Sequence, residues 1–484
     1  METIQVNHAY VEEVMGKAKQ AAEIFSLYDR DKTDRILRAV YEAAFNKRFS
    51  LAKMAHEETG IGKVEDKVIK NIIATRFVYE DIKDFPAAGI VFEDEVSGIT
   101  EIARPLGPVF AITPVTNPTS TVLFKILISL KTRNPLVISP HGAARKCSIE
   151  AARICYEAAI EAGAPEHCIQ WLKRVSKEDV LAFMSHKKTA LILATGSVGL
   201  VRAANSSGNP TIGIGPGNVP VYVGKTTDVA FAVDQILVSK TFDYGTICAS
   251  EQAVVVSKYN AEALKSEFKR RKAYFMNPDE MALLEPVAFN TAQKVMNASV
   301  IGQSAFKIAA MAGFDVPEDT SVLIAPLDRV GLEAPLSLEI LAPILAFYKV
   351  ENFEQGIERC REINRYGGLG HTASIFSNDE SKIRHFAETM NAGRIVVNQP
   401  SSQGALGGTY NSLQPSMTLA CGTGGKNITT DNISARHLIN IQRIAQRKVT
   451  ICREHLAEGA YCCNAHMSVD EIEKVCSRNI STSY

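Results

Sequence analysis

A parallel α/β architecture is predicted from three features of the chain. Short apolar runs of strand length alternate with helical stretches from Gly107 onward, an amphipathic helical layer precedes them, and 484 residues exceed what one hydrophobic core holds. Hydrophobic residues at 46% and charged residues at 22% fit an ordinary globular chain. Lys plus Arg (53) balances Asp plus Glu (53), so no overall field draws the protein to nucleic acid or to a membrane surface. No apolar run is long enough for a spanning helix, and Met1–Gln5 does not begin a signal peptide. The ten cysteines are scattered instead of densely spaced, which predicts a cytoplasmic protein with reduced thiols.

From Tyr10 to Asp84 the pattern is helical. Ala18, Ala21, Ala22, Ile24 and Phe25 recur near the 3.6 period, as do Ile36, Val40, Ala43 and Ala44, and then Ile72, Ile73 and Phe77 after Glu65–Lys70. Gly89–Phe92 and Ile99–Ala103 read as paired strands around an acidic turn. Gly107–Thr113 is a buried strand ending in Pro114-Val115-Thr116-Asn117-Pro118; 122–130 is a helix and Pro135–Pro140 another buried strand. Helix 147–162 and the strand Ala190–Ala194 repeat the unit. Strand, helix, strand at these lengths implies a parallel sheet with its ligand crevice at the strand carboxyl ends.

The last of these strands runs into Thr195-Gly196-Ser197-Val198-Gly199 and a helix. A dinucleotide could rest at such a helix N-terminus, but the spacing is not GxGxxG, and a tight turn needing glycine explains it equally. From Val238 a second unit begins. It includes strand-like Ser321–Ala325 and Ala346–Val350, the glycine-rich turn Gly367-Gly368-Leu369-Gly370-His371 before a strand, and the strand Gly393–Asn398. Ser401–Gly425, rich in Gly, Ser and Thr, reads as a long functional loop or return segment.

Within that second unit, Phe242-Asp243-Tyr244-Gly245-Thr246-Ile247-Cys248-Ala249-Ser250-Glu251-Gln252 places one thiol between a turn and a buried strand. A cysteine there is either a small buried hydrophobe or a nucleophile whose pKa a neighbour must lower. The wording of the segment resembles the nucleophile segment of CoA-acylating aldehyde dehydrogenases, above all the acetaldehyde dehydrogenase half of bifunctional aldehyde–alcohol dehydrogenases. The resemblance runs from about residue 10 to about residue 445.

That resemblance implies an aldehyde dehydrogenase-like fold: a Rossmann-type cofactor domain, an α/β catalytic domain and an oligomerisation strand or hairpin. The expected divisions are 1–237 for the helical layer and NAD(P)-binding domain, 238–423 for the catalytic domain, 424–450 for a return segment and 451–484 for a cysteine-rich tail. It implies that a short aldehyde, CoA and NAD(P)+ are converted reversibly to acyl-CoA through a thiohemiacetal and a thioester on Cys248. Acetaldehyde, sulfoacetaldehyde and succinate semialdehyde are the candidate substrates. Asn117 matches the oxyanion-hole asparagine, although Asn-Pro is also a common turn former. His371 matches a histidine able to deprotonate the CoA thiol, or else satisfies turn carbonyls. Thr195, Gly196, Ser197 and Gly199 match the turn beside the cofactor, and Glu339 the glutamate that hydrogen-bonds the nicotinamide ribose. Gly215 and Gly217 lie in Gly213–Pro220, where hydrolytic relatives carry a general-base glutamate and this chain has no acid. A thiol acceptor needs less activation than water, so the absence favours CoA. Ser139, His141 and Gly142 stand where hydrolytic relatives place a Lys and a Glu against the adenosine ribose; with no carboxylate there and Arg145 and Lys146 just beyond, NAD and NADP both remain open. A homodimer or higher homo-oligomer is implied, and no metal is expected. The competing readings are a hydrolytic aldehyde dehydrogenase and a non-catalytic assembly subunit.

Three segments depart from the relatives or stand outside the motifs. Tyr244 stands where many have Asn, which suggests a narrowed or polarised aldehyde tunnel. Pro400–Gly404 with Lys426 and Asn427 could offer donors to an acidic substrate tail. After Arg447, Cys452, Cys462, Cys463 and Cys476 with His455 and His466 match no standard zinc spacing, and a helix from Ser468 with Glu471 completing its capping box is expected instead.

Overall fold

A computed structural model of the protein describes residues 6–173 and 176–446. Helix α1 (His8–Phe25) buries Val11, Val14, Met15, Ala18, Ala21, Ala22 and Phe25 along one stripe, and the Asn7 side chain caps it by accepting from Tyr10 N–H. Helix α2 (Arg30–Asn46) is capped by Asp29, and α3 (Arg48–Thr59) stops at Gly60, whose φ of 65° suits glycine. Helix α4 (Val64–Ile72) differs in that its buried face holds Asp66, Lys67, Lys70 and Asn71 beside Val68. A π-turn (Ile73–Phe77) joins it to α5 (Val78–Ile82).

Strands β1 (Gly89–Asp94) and β2 (Ile99–Pro105) pair across the acidic turn. A parallel sheet follows from β3 (Val109–Ile112), β4 (Leu136–Ser139), β5 (Ile169–Trp171), β6 (Leu191–Thr195) and β7 (Thr211–Ile214). They are joined by helices α6 (Pro118–Lys131), α7 (Arg145–Glu161), α8 (Lys177–Ser185) and α9 (Val198–Asn205). The strand order is β5-β4-β3-β6-β7, so the winding reverses between β3 and β6. The crevice at such a reversal is where parallel sheets bind ligands. Asn117 follows β3 and Thr195 ends β6, which puts both at this point. Buried Lys125 of α6 ties the two strand ends together, donating to Ile112 O at 2.7 Å and Leu193 O at 2.8 Å.

The second sheet begins at β8 (Val219–Val223), ahead of the division expected at 237/238. Helix α10 (Val229–Thr241), β9 (Glu251–Ser257), α11 (Ala261–Arg270), β10 (Ala273–Phe275) and α12 (Pro278–Ala288) follow. A short hairpin, β11 (Phe289–Asn290) and β12 (Val295–Met296), leads to α13 (Ala305–Ala312). Then come β13 (Val322–Pro326), β14 (Ile344–Val350), α14 (Phe353–Arg365), β15 (Gly370–Phe376), α15 (Glu380–Thr389) and β16 (Ala392–Val397). The seven strands run in the order β10-β13-β14-β9-β8-β15-β16, and every pairing is parallel.

Two expectations change here. His371 lies inside β15, past the glycine turn. Ser401–Leu406 is a short helix, α16, where an uninterrupted loop is expected. It is pinned from outside: Ser401 N–H donates to Glu251, and Ser402 exchanges hydrogen bonds with Ser239.

Strand β17 (Ile439–Ala445) lies on the other side of β2 and completes a three-stranded sheet. Of the described residues, 90–102 and 441–446 make a small compact unit of their own. The cysteine-rich tail and the expected helix from Ser468 lie outside the described residues. Among the described residues, no helix is long and apolar enough to cross a membrane.

Candidate active site

Helix α10 ends at Thr241, and the chain turns through Asp243 (φ 49°), Tyr244 (φ 51°) and Gly245 (φ 75°). Two consecutive non-glycine residues in the left-handed region are costly, roughly 1–2 kcal/mol each. An asparagine takes that conformation more readily than a tyrosine. The turn delivers Cys248, half-buried, three residues ahead of β9.

His371 reaches the same point from β15, two strands away, with Nε2 at 3.2 Å from Cys248 Sγ. Its Nδ1 lies 2.9 Å from Thr372 Oγ1. Buried Arg394 of β16 donates to His371 O (2.9 Å), Ala420 O (2.8 Å) and Thr372 Oγ1 (3.4 Å), locking the strand segment that carries the imidazole. Burial, and then the Glu339 carboxylate, push the Cys248 thiol up to about 12. Burial, and then Arg394, push His371 down to about 3. The resting pair is therefore neutral, thiol facing imidazole.

Asn117 is the N-cap residue of α6, but its side chain makes no capping bond. Oδ1 accepts from Lys70 Nζ at 2.6 Å, and Nδ2 donates to Thr116 Oγ1 (3.1 Å) and Thr246 O (3.4 Å). Lys70 also donates to Thr246 Oγ1 at 2.8 Å and to Asp243 Oδ2. The Asp243 carboxylate further accepts from Lys67 (2.9 Å), Lys63 N–H (2.7 Å) and Thr246 Oγ1 (2.8 Å). Burial pushes Asp243 up, yet Lys70 and Lys67 outweigh it and hold the carboxyl below its usual range. Helix α4 thus grips the turn that presents Cys248.

The glycine segment touches Cys248 directly. A Cβ on Gly217 would lie 2.1 Å from Cys248 O and 3.1 Å from His371 Nδ1. Gly217 N–H donates to Glu339 Oε1 at 2.7 Å, and burial raises that carboxyl to about 7. Gly215 and Gly199, in contrast, face open space, and neither has a positive φ. A glycine that its own packing does not require leaves room for a ligand. Thr195 Oγ1 is buried without a partner at the end of β6, and Ser197 caps α9 through Leu200 N–H. Those features fit a dinucleotide lying along the β3/β6 reversal.

Near Ser139, His141 and Gly142 the structure supplies what the local sequence lacks. Glu58 of α3 accepts from Lys146 N–H (2.8 Å) and Cys147 N–H (2.7 Å), so a carboxylate does stand at the α7 N-terminus. His141 Nδ1 accepts from Ala143 N–H at 3.2 Å.

Of the donors expected for an acidic substrate tail, Asn427 and Ser402 are spent, whereas Ser401 Oγ is buried without a partner. Asn427 bonds Cys421 N–H and Gly213 O, both at 3.0 Å, and Ser402 bonds Ser239 and Gln403. Lys426 is exposed. A cavity of about 510 Å³ beside Phe242 is bordered by Lys63, Asp66, Ile69, Ile73, Gln403 and Tyr410 among others. Lys63 pairs with Asp66 at 3.2 Å, while the Tyr244 ring lies under its ammonium, 5.1 Å from the ring centre. Among the described residues, no group of three or more His, Cys, Asp or Glu is placed to hold a metal.

The model of the aldehyde dehydrogenase family matches residues 1–414. The chain belongs to the aldehyde dehydrogenase family. It is 41% identical over 459 residues to the bifunctional aldehyde-alcohol dehydrogenase of Escherichia coli, covering 94% of this chain and 51% of that one. The chain spans about half the length of such curated relatives. Its fold superposes on an acetylating aldehyde dehydrogenase from Geobacillus thermoglucosidasius with a TM-score of 0.89 at 45% identity, covering 91% of this chain and 97% of that one. A propionaldehyde dehydrogenase from Rhodopseudomonas palustris with bound propionyl-CoA gives 0.81 at 26% identity, covering 90% and 94%.

Sequence reasoning named Cys248, His371, Asn117, Gly217 and Glu339. It missed Lys67, Lys70, Thr372, Arg394 and Glu58. Arg394 carried a faint signal, a charged residue inside an otherwise apolar strand; the others carried none.

Proposed function

We propose that the protein oxidises a short, neutral aldehyde to an acyl-CoA with NAD(P)+, reversibly, through a thioester on Cys248. The observation that carries the reading is the surroundings of the thiol: an imidazole at 3.2 Å and, against the cysteine's own carbonyl, Gly217 from a segment without an acid. With Nδ1–H donating to Thr372, His371 Nε2 accepts the Cys248 proton as sulfur attacks the carbonyl carbon. Negative charge developing on the aldehyde oxygen takes the Asn117 Nδ2–H bond. Bound NAD(P)+ supplies the hydride acceptor, held along Thr195–Gly199, Gly215 and Glu339. His371 releases the Cys248 proton to solvent once the thioester has formed, takes the proton of the incoming CoA thiol, and returns it to Cys248 as the CoA sulfur displaces that residue from the acyl carbon. In this glycine segment no carboxylate offers itself to activate water, whereas a thiol ionises far more readily than water.

Glu58 supports NAD over NADP, because a 2′-phosphate approaching the α7 amides would meet a carboxylate already bound to them. Acetaldehyde or a similarly small neutral aldehyde is favoured over sulfoacetaldehyde or succinate semialdehyde because Asn427 and Ser402 are spent and Lys63 is paired with Asp66, which leaves the Ser401 hydroxyl and exposed Lys426 of the donors expected for an acidic tail. The exposed Ile90, Phe92, Val96 and Ile444 around the β1-β2-β17 sheet support a homo-oligomer, to be read from the mass in solution by light scattering. The six described cysteines are unpaired, in keeping with a cytoplasmic location.

The test is intact mass spectrometry of the protein with acetaldehyde and NAD+ but no CoA. An acetyl adduct on Cys248, cleared when CoA is added, supports the reading. A protein that forms acid and never accumulates the adduct removes it.

A further inference from the structure

The buried cluster on α4 does more than neutralise Asp243. We propose that Lys70 is a positioning residue for the oxyanion donor: its ammonium fixes the Asn117 amide with Nδ2 turned toward the Cys248 turn and polarises that N–H group. The proposal rests on the reading of Asn117 given above.

The chemistry of the partners fixes the amide. An ammonium offers donors and no acceptor, so the side of Asn117 facing Lys70 must be its oxygen. The contact at 2.6 Å has the length of a charge-assisted bond. With Oδ1 so held, Nδ2 falls on the opposite side, near Thr246 O in the turn before Cys248. A cation on the amide oxygen draws electron density from nitrogen, which makes the N–H a stronger donor to a forming oxyanion.

All three Lys70 protons are spent, on Asn117, Asp243 and Thr246, and Thr246 Oγ1 passes its own proton on to Asp243. The charges sum in the oxyanion's favour. Lys67 and Lys70 face the single carboxylate of Asp243, while Asp66 is taken by Lys63 and by Asp243 N–H at 2.7 Å. One buried positive charge remains beside Asn117.

The experiment compares Lys70→Met, Asn117→Ala and the double variant. Two rates are read in each: the first-turnover formation of NADH, which needs an oxyanion donor, and alkylation of Cys248 by iodoacetamide, which develops no oxyanion. Lys70→Met is expected to slow first-turnover NADH formation about 100-fold, the usual cost of a lost oxyanion donor. Alkylation should stay within about twofold of wild type, and the double variant should be no slower than Asn117→Ala. A further drop in the double variant, or equal losses in both rates, overturns the role of Lys70. Wild-type NADH formation in Asn117→Ala overturns instead the oxyanion reading beneath it. Should Lys70→Met fail to fold, Asn117→Asp decides: its carboxylate gains the Lys70 ammonium, so the variant should melt no lower than Asn117→Ala while losing NADH formation. A lower melting temperature than Asn117→Ala overturns the contact.

Discussion

Gly217→Ala isolates the contact between the glycine segment and Cys248. The φ of Gly217 is one any residue adopts, so the substitution brings no backbone strain and only the space decides. The new Cβ would lie 2.1 Å from Cys248 O and 3.1 Å from both Cys248 C and His371 Nδ1. Two of these atoms are main chain and the third is on a buried imidazole, so none swings aside cheaply. Relief to an ordinary contact requires Cys248 and Gly217 to part by roughly 1 Å, and a misplacement of that size costs about 100-fold in rate. Overpacking adds about 1–3 kcal/mol of destabilisation. The assay is NADH formation with aldehyde and CoA, with iodoacetamide alkylation followed in parallel. Gly215→Ala, where a Cβ meets nothing within 4 Å, serves as the control. It should leave alkylation unchanged and raise the KM for the cofactor. Near-wild-type turnover in Gly217→Ala would refute the packing argument.

Other outcomes follow from the electrostatics. Because the Cys248 thiol is pushed up to about 12, its thiolate fraction grows with pH, and alkylation in the absence of substrate should still be rising at pH 9; a plateau below pH 8 contradicts this. After burial, the Glu339 carboxylate does most to raise that thiol, and it is itself ionised above about 7. Glu339→Gln should therefore lower the thiol's pKa and speed alkylation above pH 7, by roughly threefold or more, measured as the ratio to wild type at each pH. Glu58→Gln removes the carboxylate at the α7 N-terminus and should raise kcat/KM for NADP+ relative to NAD+ by about tenfold; an unchanged ratio places the 2′ position elsewhere.

Much of the site was legible because its residues sit at punctuation marks of the chain. Cys248 stands before a buried strand, Asn117 after one, and Gly217 within a glycine-proline stretch. Lys67 and Lys70 were hidden by their type: on an amphipathic helix, lysines read as the solvent face, and Asp243 lies more than 170 residues away. Glu58 was hidden in the same way, since a glutamate near a helix end has no visible partner. In the fold, β7 and β8 were obscured by Gly213 and Pro220. Proline reads as an edge or non-strand residue, yet β8 is a central strand. A register shift between Val219 and Pro220 in its pairing with β9 accommodates it. The α16 sequence Ser-Ser-Gln-Gly-Ala-Leu has weak helical propensity, and the helix exists because Glu251 and Ser239 satisfy its first residues.

A thiol, and no water molecule, is expected to release the acyl group from Cys248. The most direct measurement follows NADH with acetaldehyde and NAD+ as CoA is withheld and then added. One equivalent of NADH per active site, followed by steady turnover only once CoA is present, and neither phase in Cys248→Ala, is the predicted result. Sustained NADH formation without CoA, accompanied by free acetate, would contradict it.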